Sequence, residues 1–296
     1  MFKKEVCEYF QYLQNRITIG LEILDGKSSF KEDKWKRMGG GGGITRVIAK
    51  GDVIAKGGVN FSAVHGVMPD AIKEVIKVQD SDFFASGLSI VLHSRNPFVP
   101  IIHMNIRYFE MTDGTFWFGG GIDLTPHYID IEDSIFFHQQ LKKTCERYHP
   151  TFYGKFKLWA DDYFFIQHRQ ETRGIGGIFF DRLSNEPLCK KKNWEFVKSL
   201  GDLFLPIYVE IASRNKDKPF NDENIKWQNH RRSRYAEFNL LYDKGTKFGL
   251  HSNGRIESIL MSLPPEAQWT YDYQPSRQSE EKKTLDLLKK GVNWAD

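Results

Sequence analysis

The chain has 296 residues, 40% of them hydrophobic and 27% charged, a balance that excludes a disordered or fibrous protein and allows one large core or two small ones. Its 42 Lys and Arg against 38 Asp and Glu leave a net charge of +4, too slight and too interspersed for nucleic acid to be the leading partner. Aromatic residues, at 14%, are the outlier, and they suit either an ordinary core or the walls of a site for a flat apolar ligand.

Val6, Phe10, Leu13, Ile17, Leu21 and Leu24 recur at steps of three and four and predict an opening amphipathic helix. Lysines and glutamates run through this stretch, unlike a signal-peptide core, and no apolar run approaches the ~18 residues of a membrane span. Cys7, Cys145 and Cys189 lack any C-x-x-C spacing. Neither a disulfide framework nor a thiolate zinc site is expected, and a reducing compartment, the cytoplasm, is. The five-glycine run 39–43 lacks the Lys-Ser/Thr of a phosphate loop and reads as a turn or a mobile flap. Residues 44–64 read as short antiparallel strands broken by turns at Lys50-Gly51-Asp52 and Lys56-Gly57-Gly58.

Residues 86–93 and 101–111 predict two strands, joined by a loop in which Asn96-Pro97 and Pro100 prevent a helix. Alternation in the second strand puts His103, Asn105, Arg107 and Phe109 on one face and Ile102, Met104, Ile106 and Tyr108 on the other. The polar face is either solvated or the floor of a cleft. An imidazole, an amide and a guanidinium together can supply proton transfer, orientation and carboxylate binding. In the segment 118–126, Gly119, Gly120 and Gly121 permit close approach of a ligand or backbone. Asp123 follows them, as an acceptor for ligand N–H groups or as a turn cap.

Helices are predicted over 130–148 with Asp130 as its cap, over 151–170 and over 194–213, with a strand at 174–183. Arg231, Arg232 and Arg234 read as a solvated basic run. Residues 235–242, 247–251 and 255–263 read as strands with a hairpin turn through 249–255, before a short helix near 284–290. His93, His103, His138 and His168, the last two on consecutive helices, could converge where helices pack on the sheet, although their spacing is no zinc signature. Strands in runs and helices in runs predict an α+β fold with a largely antiparallel sheet, as one domain over 1–296.

Taken together, the segments 118–126, Arg173-Gly174-Ile175-Gly176-Gly177-Ile178-Phe179-Phe180-Asp181 and 257–265 resemble the oxygen-dependent coproporphyrinogen-III oxidase family. The likeness continues through 87–93, Asn96-Pro97, 159–164, 237–240 and 271–275, nearly the whole chain. It implies a large antiparallel sheet between helical layers, enclosing a deep pocket. It also implies a homodimer with Tyr235 to Thr270 in the interface. The implied reaction is oxidative decarboxylation of the propionates on rings A and B of coproporphyrinogen III to vinyl groups, giving protoporphyrinogen IX in haem synthesis. O2 is the acceptor, and H2O2 and CO2 are released. A reduced tetrapyrrole can itself donate electrons to oxygen, so flavin, nicotinamide and haem are not expected.

Carried over residue by residue, the resemblance makes Ser89, Asn105, Ile106, Arg107, Asn253, Gly254 and Arg255 substrate-binding and His103 the proton donor. Asp123 would hydrogen-bond the pyrrole nitrogens while Arg107 holds a propionate. His93, His103, His138 and His168 match four positions that bacterial members assign to a divalent cation, whereas eukaryotic members are held to work without one. The competing classes are a tetrapyrrole carrier without chemistry and a histidine-ligated metal oxygenase.

Overall fold

The computed structural model describes residues 1–68, 82–251 and 254–295. Helix α1 (Phe2–Asp25) buries Val6, Phe10, Leu13, Ile17 and Leu21 completely, as the three-and-four spacing dictates. It ends on Gly26 at φ 73°, a left-handed position that glycine takes without a Cβ clash.

Seven strands then form one antiparallel sheet. Six follow in chain order: β1 (Lys31–Lys36), β2 (Gly41–Ala49), β3 (Ile54–Val67), β4 (Asp82–Ser94), β5 (Ile101–Met111) and β6 (Phe116–Thr125). Strands β7 (Phe165–Ile166) and β8 (Glu171–Thr172) make a separate hairpin, and β9 (Gly176–Leu183) returns to pair with β6.

The register puts Leu88, Ile90 and Leu92 of β4, Ile102, Met104, Ile106 and Tyr108 of β5, and Phe118, Ile122 and Leu124 of β6 on one face. All are buried. They share one core with α1, α2 (Ile131–Glu146), α3 (Phe152–Tyr163) and α4 (Lys190–Asn215). Burying a large apolar side chain contributes roughly 1.5–3 kcal/mol, so this face carries most of the sheet's stability. Asp130 caps α2 as expected, its carboxylate accepting the Asp133 N–H at 3.1 Å.

The other face is covered at one end by α5 (Asp222–Leu241). Tyr235 of that helix and Met261 pack on Val91 and Ile101. Gly58 of β3 makes room there, since a Cβ on it would lie 1.9 Å from Met261 Sδ. Helices α6 (Lys244–His251), α7 (Ile256–Leu260) and α8 (Glu280–Leu287) follow. The sheet therefore lies between helical layers in an α+β fold.

Several local expectations change. Residues 235–242, 247–251 and 255–263 are not strands but belong largely to α5, α6 and α7. A capping box at Asn221 starts α5, and Tyr235, Phe238 and Tyr242, whose aromatic character imitates a strand, sit at helical spacing. The hairpin turn expected through 249–255 gives way to the end of α6, and its Ser252 and Asn253 lie outside the described residues. The turn expected at Lys56-Gly57-Gly58 lies within β3, where a Cβ on Gly57 would meet Leu92 Cδ2 at 2.6 Å. The helix expected over 151–170 stops at Tyr163 and the β7–β8 hairpin follows, so His168 is not helical.

Glycines 42–43 pair with both β1 and β3, so they are ladder residues, not a free flap. Gly40 and Gly41 supply the positive φ of the turn that leads into them. Finally, Arg231, Arg232 and Arg234 are buried, not solvated. They bond Glu171 (2.7 Å), the Ser94 carbonyl (2.7 Å) and Glu237 (3.1 Å) respectively. These partners come from the β7–β8 hairpin, the sheet and the same helix, and replace water.

Candidate active site

β4 is the middle strand of the seven, yet Ser89 on it is exposed. The second face of the sheet is therefore open at its centre. Register explains why: Thr45, Asn60, Ser89, Asn105 and Gly121 lie in one row, and Gly43, Ser62, Gly87, Arg107 and Gly119 in the next. Around exposed Ser89, the half-buried Ser62, Gly87, Asn105 and Arg107 leave a band over which a ligand can approach the backbone, while Thr45 and Asn60 are covered by Ser258 of α7 and Gly119 and Gly121 are buried. The α5 end closes one side of this band. At the other, Phe83, Phe109 and Trp117 stack, with centroids 5.9 and 4.1 Å apart and planes tilted by 8° and 22°.

Asp123 faces the same way at the α5 end. Its position opposite His103 in the β5–β6 ladder brings the carboxylate Oδ2 to 3.3 Å from His103 Nδ1. Arg173 donates from Nη2 to the same oxygen at 2.5 Å. The His103 Nε2 meets the Tyr235 hydroxyl at 2.8 Å, and the two rings stack with centroids 5.1 Å apart. Asn239 donates to the Tyr235 hydroxyl at 3.1 Å. The Arg173 guanidinium is enclosed by the rings of Phe164, Phe238 and Tyr235, at 4.4, 4.7 and 5.2 Å.

Charge follows from this geometry. Burial would raise the Asp123 carboxyl, but the Arg173 guanidinium and the His103 ring outweigh it and hold the group below the usual carboxylate range. Burial lowers His103, and the neighbouring Arg173 charge lowers it further against the pull of Asp123. At neutral pH the site holds an ionised carboxylate, a neutral imidazole and a fixed guanidinium. Such an imidazole can take a proton on one nitrogen and give one from the other.

Arg107 lies four residues along β5 from His103, roughly 13 Å at strand rise, and on the same face. Buried Asp123 and half-buried Arg107 thus lie at opposite ends of one stretch of this face, with exposed Ser89 and half-buried Asn105 between them. Ile106 points into the core, so only its backbone can meet a ligand. Arg255 precedes α7 and pairs with Asp33 of β1. The Gly254 N–H donates to the Gly249 carbonyl at 2.9 Å. Asn253 lies outside the described residues.

The four histidines do not gather. His93 and His103 both touch the Tyr235 ring, at 5.0 and 5.1 Å. His138 has both nitrogens engaged, by the Tyr153 hydroxyl and the Ile175 carbonyl at 3.0 Å each. Burial pushes it down to about 3. His168 is held between the Tyr242 hydroxyl and Glu237, at 2.6 and 2.7 Å. Among the described residues no group of three His, Cys, Asp or Glu is arranged to hold a metal ion. As they stand these side chains do not form a cation site: tyrosine hydroxyls face one nitrogen each of His103, His138 and His168, and only His93, whose Nε2 meets the Ser262 carbonyl, keeps a nitrogen, Nδ1, without a hydrogen bond.

Two site residues escape sequence reasoning. Arg173 is visible only as the first residue of the Arg173–Asp181 run, and a lone arginine before a strand carries no spacing signal. Tyr235 is concealed by its reading as strand; the Asn221 cap fourteen residues upstream is the signal that places it on a helix. Among the described residues no helix is long and apolar enough to cross a membrane.

Residues 5–294 match the family model described as coproporphyrinogen III oxidase. The chloroplastic oxygen-dependent coproporphyrinogen-III oxidase of Glycine max is 48% identical over 297 positions, covering 95% of this chain and 76% of that protein. Coproporphyrinogen-III oxidase 1, chloroplastic, of Arabidopsis thaliana is 46% identical with the same coverage. The oxygen-dependent coproporphyrinogen-III oxidase of Coxiella burnetii (strain Dugway 5J108-111) is 45% identical, covering 98% of this chain and 95% of that protein.

Proposed function

The chain belongs to the coproporphyrinogen III oxidase family, and on that premise we propose how its open sheet face performs the oxidation. It is an oxidoreductase of haem biosynthesis that acts on coproporphyrinogen III. A carrier without chemistry has no support among these relatives. In each of two turnovers a propionate arm loses CO2 and two hydrogens to become a vinyl group, and O2 takes up those hydrogens as H2O2.

We read the band between Asp123 and Arg107 as the substrate floor. The macrocycle lies over the glycines and small polar residues, one propionate on Arg107 and the pyrrole N–H groups toward the Asp123 carboxylate. An ionised acceptor there raises the electron density of the pyrrole and so favours its oxidation by O2. Arg173 keeps that acceptor ionised. Neutral His103, between Asp123 and the Tyr235 hydroxyl, moves the proton that decarboxylation requires. Arg255 takes a second carboxylate by exchanging its bond to Asp33.

The observation that carries this reading is the common facing of Asp123 and Arg107 beside the exposed Ser89. Asp123→Asn, assayed with reduced substrate under air, tests it: turnover should fall by orders of magnitude while KM stays near the wild-type value. We further propose a homodimer formed through the exposed apolar side chains Leu240, Leu241, Phe248, Leu250, Ile256 and Trp269. Tyr235, inside the expected interface stretch, faces the active site instead. Three unpaired cysteines accord with work in the reducing cytoplasm. Intermolecular disulfides in protein isolated under non-reducing conditions would contradict that assignment.

A further inference from the structure

Arg107 is not a free side chain reaching over the band. Its Nη1 donates to Asn105 Oδ1 and its Nη2 to Asp181 Oδ1, both at 2.9 Å. The Arg107 and Asp181 side chains are 36% and 34% exposed. Three local features place Asp181 there. The β6–β9 register shifts between Phe118 and Gly120. Gly119 lacks a Cβ that would lie 2.5 Å from Asp181 Oδ1 and 2.7 Å from Arg107 Nε. Arg182, the next residue, holds φ 52°, a left-handed conformation uncommon for a long side chain. A bulge, a glycine that must stay small and a strained backbone all converge on one ion pair.

We propose that Asp181 is a positioning residue for substrate carboxylate binding, fixing the Arg107 guanidinium so that its remaining N–H groups meet a propionate. This rests on the reading of Arg107 as the propionate partner. Of the five guanidinium N–H donors, Asn105 and Asp181 take two, leaving three for the ligand. A fork already held in plane loses less freedom when the carboxylate docks. The Asp181 charge also repels that carboxylate. At one-third exposure water screens the repulsion, so orientation decides the sign and removing Asp181 weakens binding.

The test is steady-state kinetics, at saturating O2, on Asp181→Ala, Asp181→Asn, Arg107→Ala and the double variant Arg107→Ala/Asp181→Ala. Asp181→Ala should raise KM for coproporphyrinogen III about tenfold with kcat within about twofold, an effect sized to an oriented charge-assisted contact. Asp181→Asn, which keeps an acceptor oxygen in place, should recover part of the affinity. In the Arg107→Ala background the Asp181 change should add less than about twofold, because it acts through Arg107. An unchanged or lowered KM in both Asp181 variants, or an undiminished rise in the Arg107→Ala background, overturns the proposal alone. An unchanged KM in Arg107→Ala overturns the propionate reading of Arg107, and the proposal with it.

Discussion

At the scale of a single residue, the proposed reaction rests most on Asp123. Its carboxylate has one oxygen on both Arg173 and His103, and its charge is maintained by a guanidinium enclosed in aromatic rings. Asp123→Asn retains the shape and removes the charge. Turnover should drop ~10²–10⁴-fold, the usual consequence of deleting a positioned acid-base group, with KM within about threefold. The variant also leaves Arg173 buried without its carboxylate, a loss of roughly 3–5 kcal/mol for a broken buried pair. Circular dichroism at the assay temperature must therefore accompany the kinetics, and near-normal turnover by folded variant would contradict the assigned role. Alternation on one strand and three glycines on the next single out His103, Arg107 and Asp123, but only the family resemblance makes that polar face a site and not a solvated surface. Arg173 and Tyr235 are not singled out, because each reaches the site from an element whose packing no local pattern records.

Among the elements, the junction of α1 with the β2–β3 turn shows how one side chain fixes the sheet. The Asp25 carboxylate at the end of α1 accepts the N–H groups of Ser28, Val53 and Ile54 at 2.9, 3.0 and 2.8 Å. Gly51 must be small, since a Cβ on it would lie 2.1 Å from Asp25 Oδ2. Burial would raise this carboxyl, but the backbone donors together lower it below its ordinary value. A depressed carboxyl contributes stability above its unfolded value of about 3.9, lost as pH falls through the lower folded value. Asp25→Asn should therefore cost roughly 2 kcal/mol at pH 7, as for hydrogen bonds to a charged group. In urea titrations the gap to wild type should narrow below about pH 4; a gap independent of pH would contradict the clamp. The α1 face and the central strands are legible from periodicity. The turn chemistry beyond residue 235 is not, because aromatics spaced for a helix also satisfy a strand pattern, and charged β1 has no apolar alternation at all.

At the scale of the whole molecule, the two faces of the sheet have divided tasks. One is apolar and filled by α1 to α4; the other is polar and glycine-rich, covered in part by α5 and α7 and exposed at Ser89, where we propose the substrate lies. That division follows from alternation, whereas the residues proposed for the dimer surface carry no pattern of their own: the exposed apolar side chains on α5 to α7 look like core residues until the helices are in place. The exposed set from Leu240 to Trp269 predicts a solution mass by light scattering of twice the 34.5 kDa chain, reduced to a single chain by Leu241→Glu. A wild-type mass of one chain would remove that interface. The most direct measurement is a crystal structure of the protein grown anaerobically with coproporphyrinogen III. The account predicts the macrocycle on the band across Ser89 and Gly121, with pyrrole nitrogens at hydrogen-bond distance from Asp123 and a propionate on Arg107; a macrocycle bound away from either residue would contradict it.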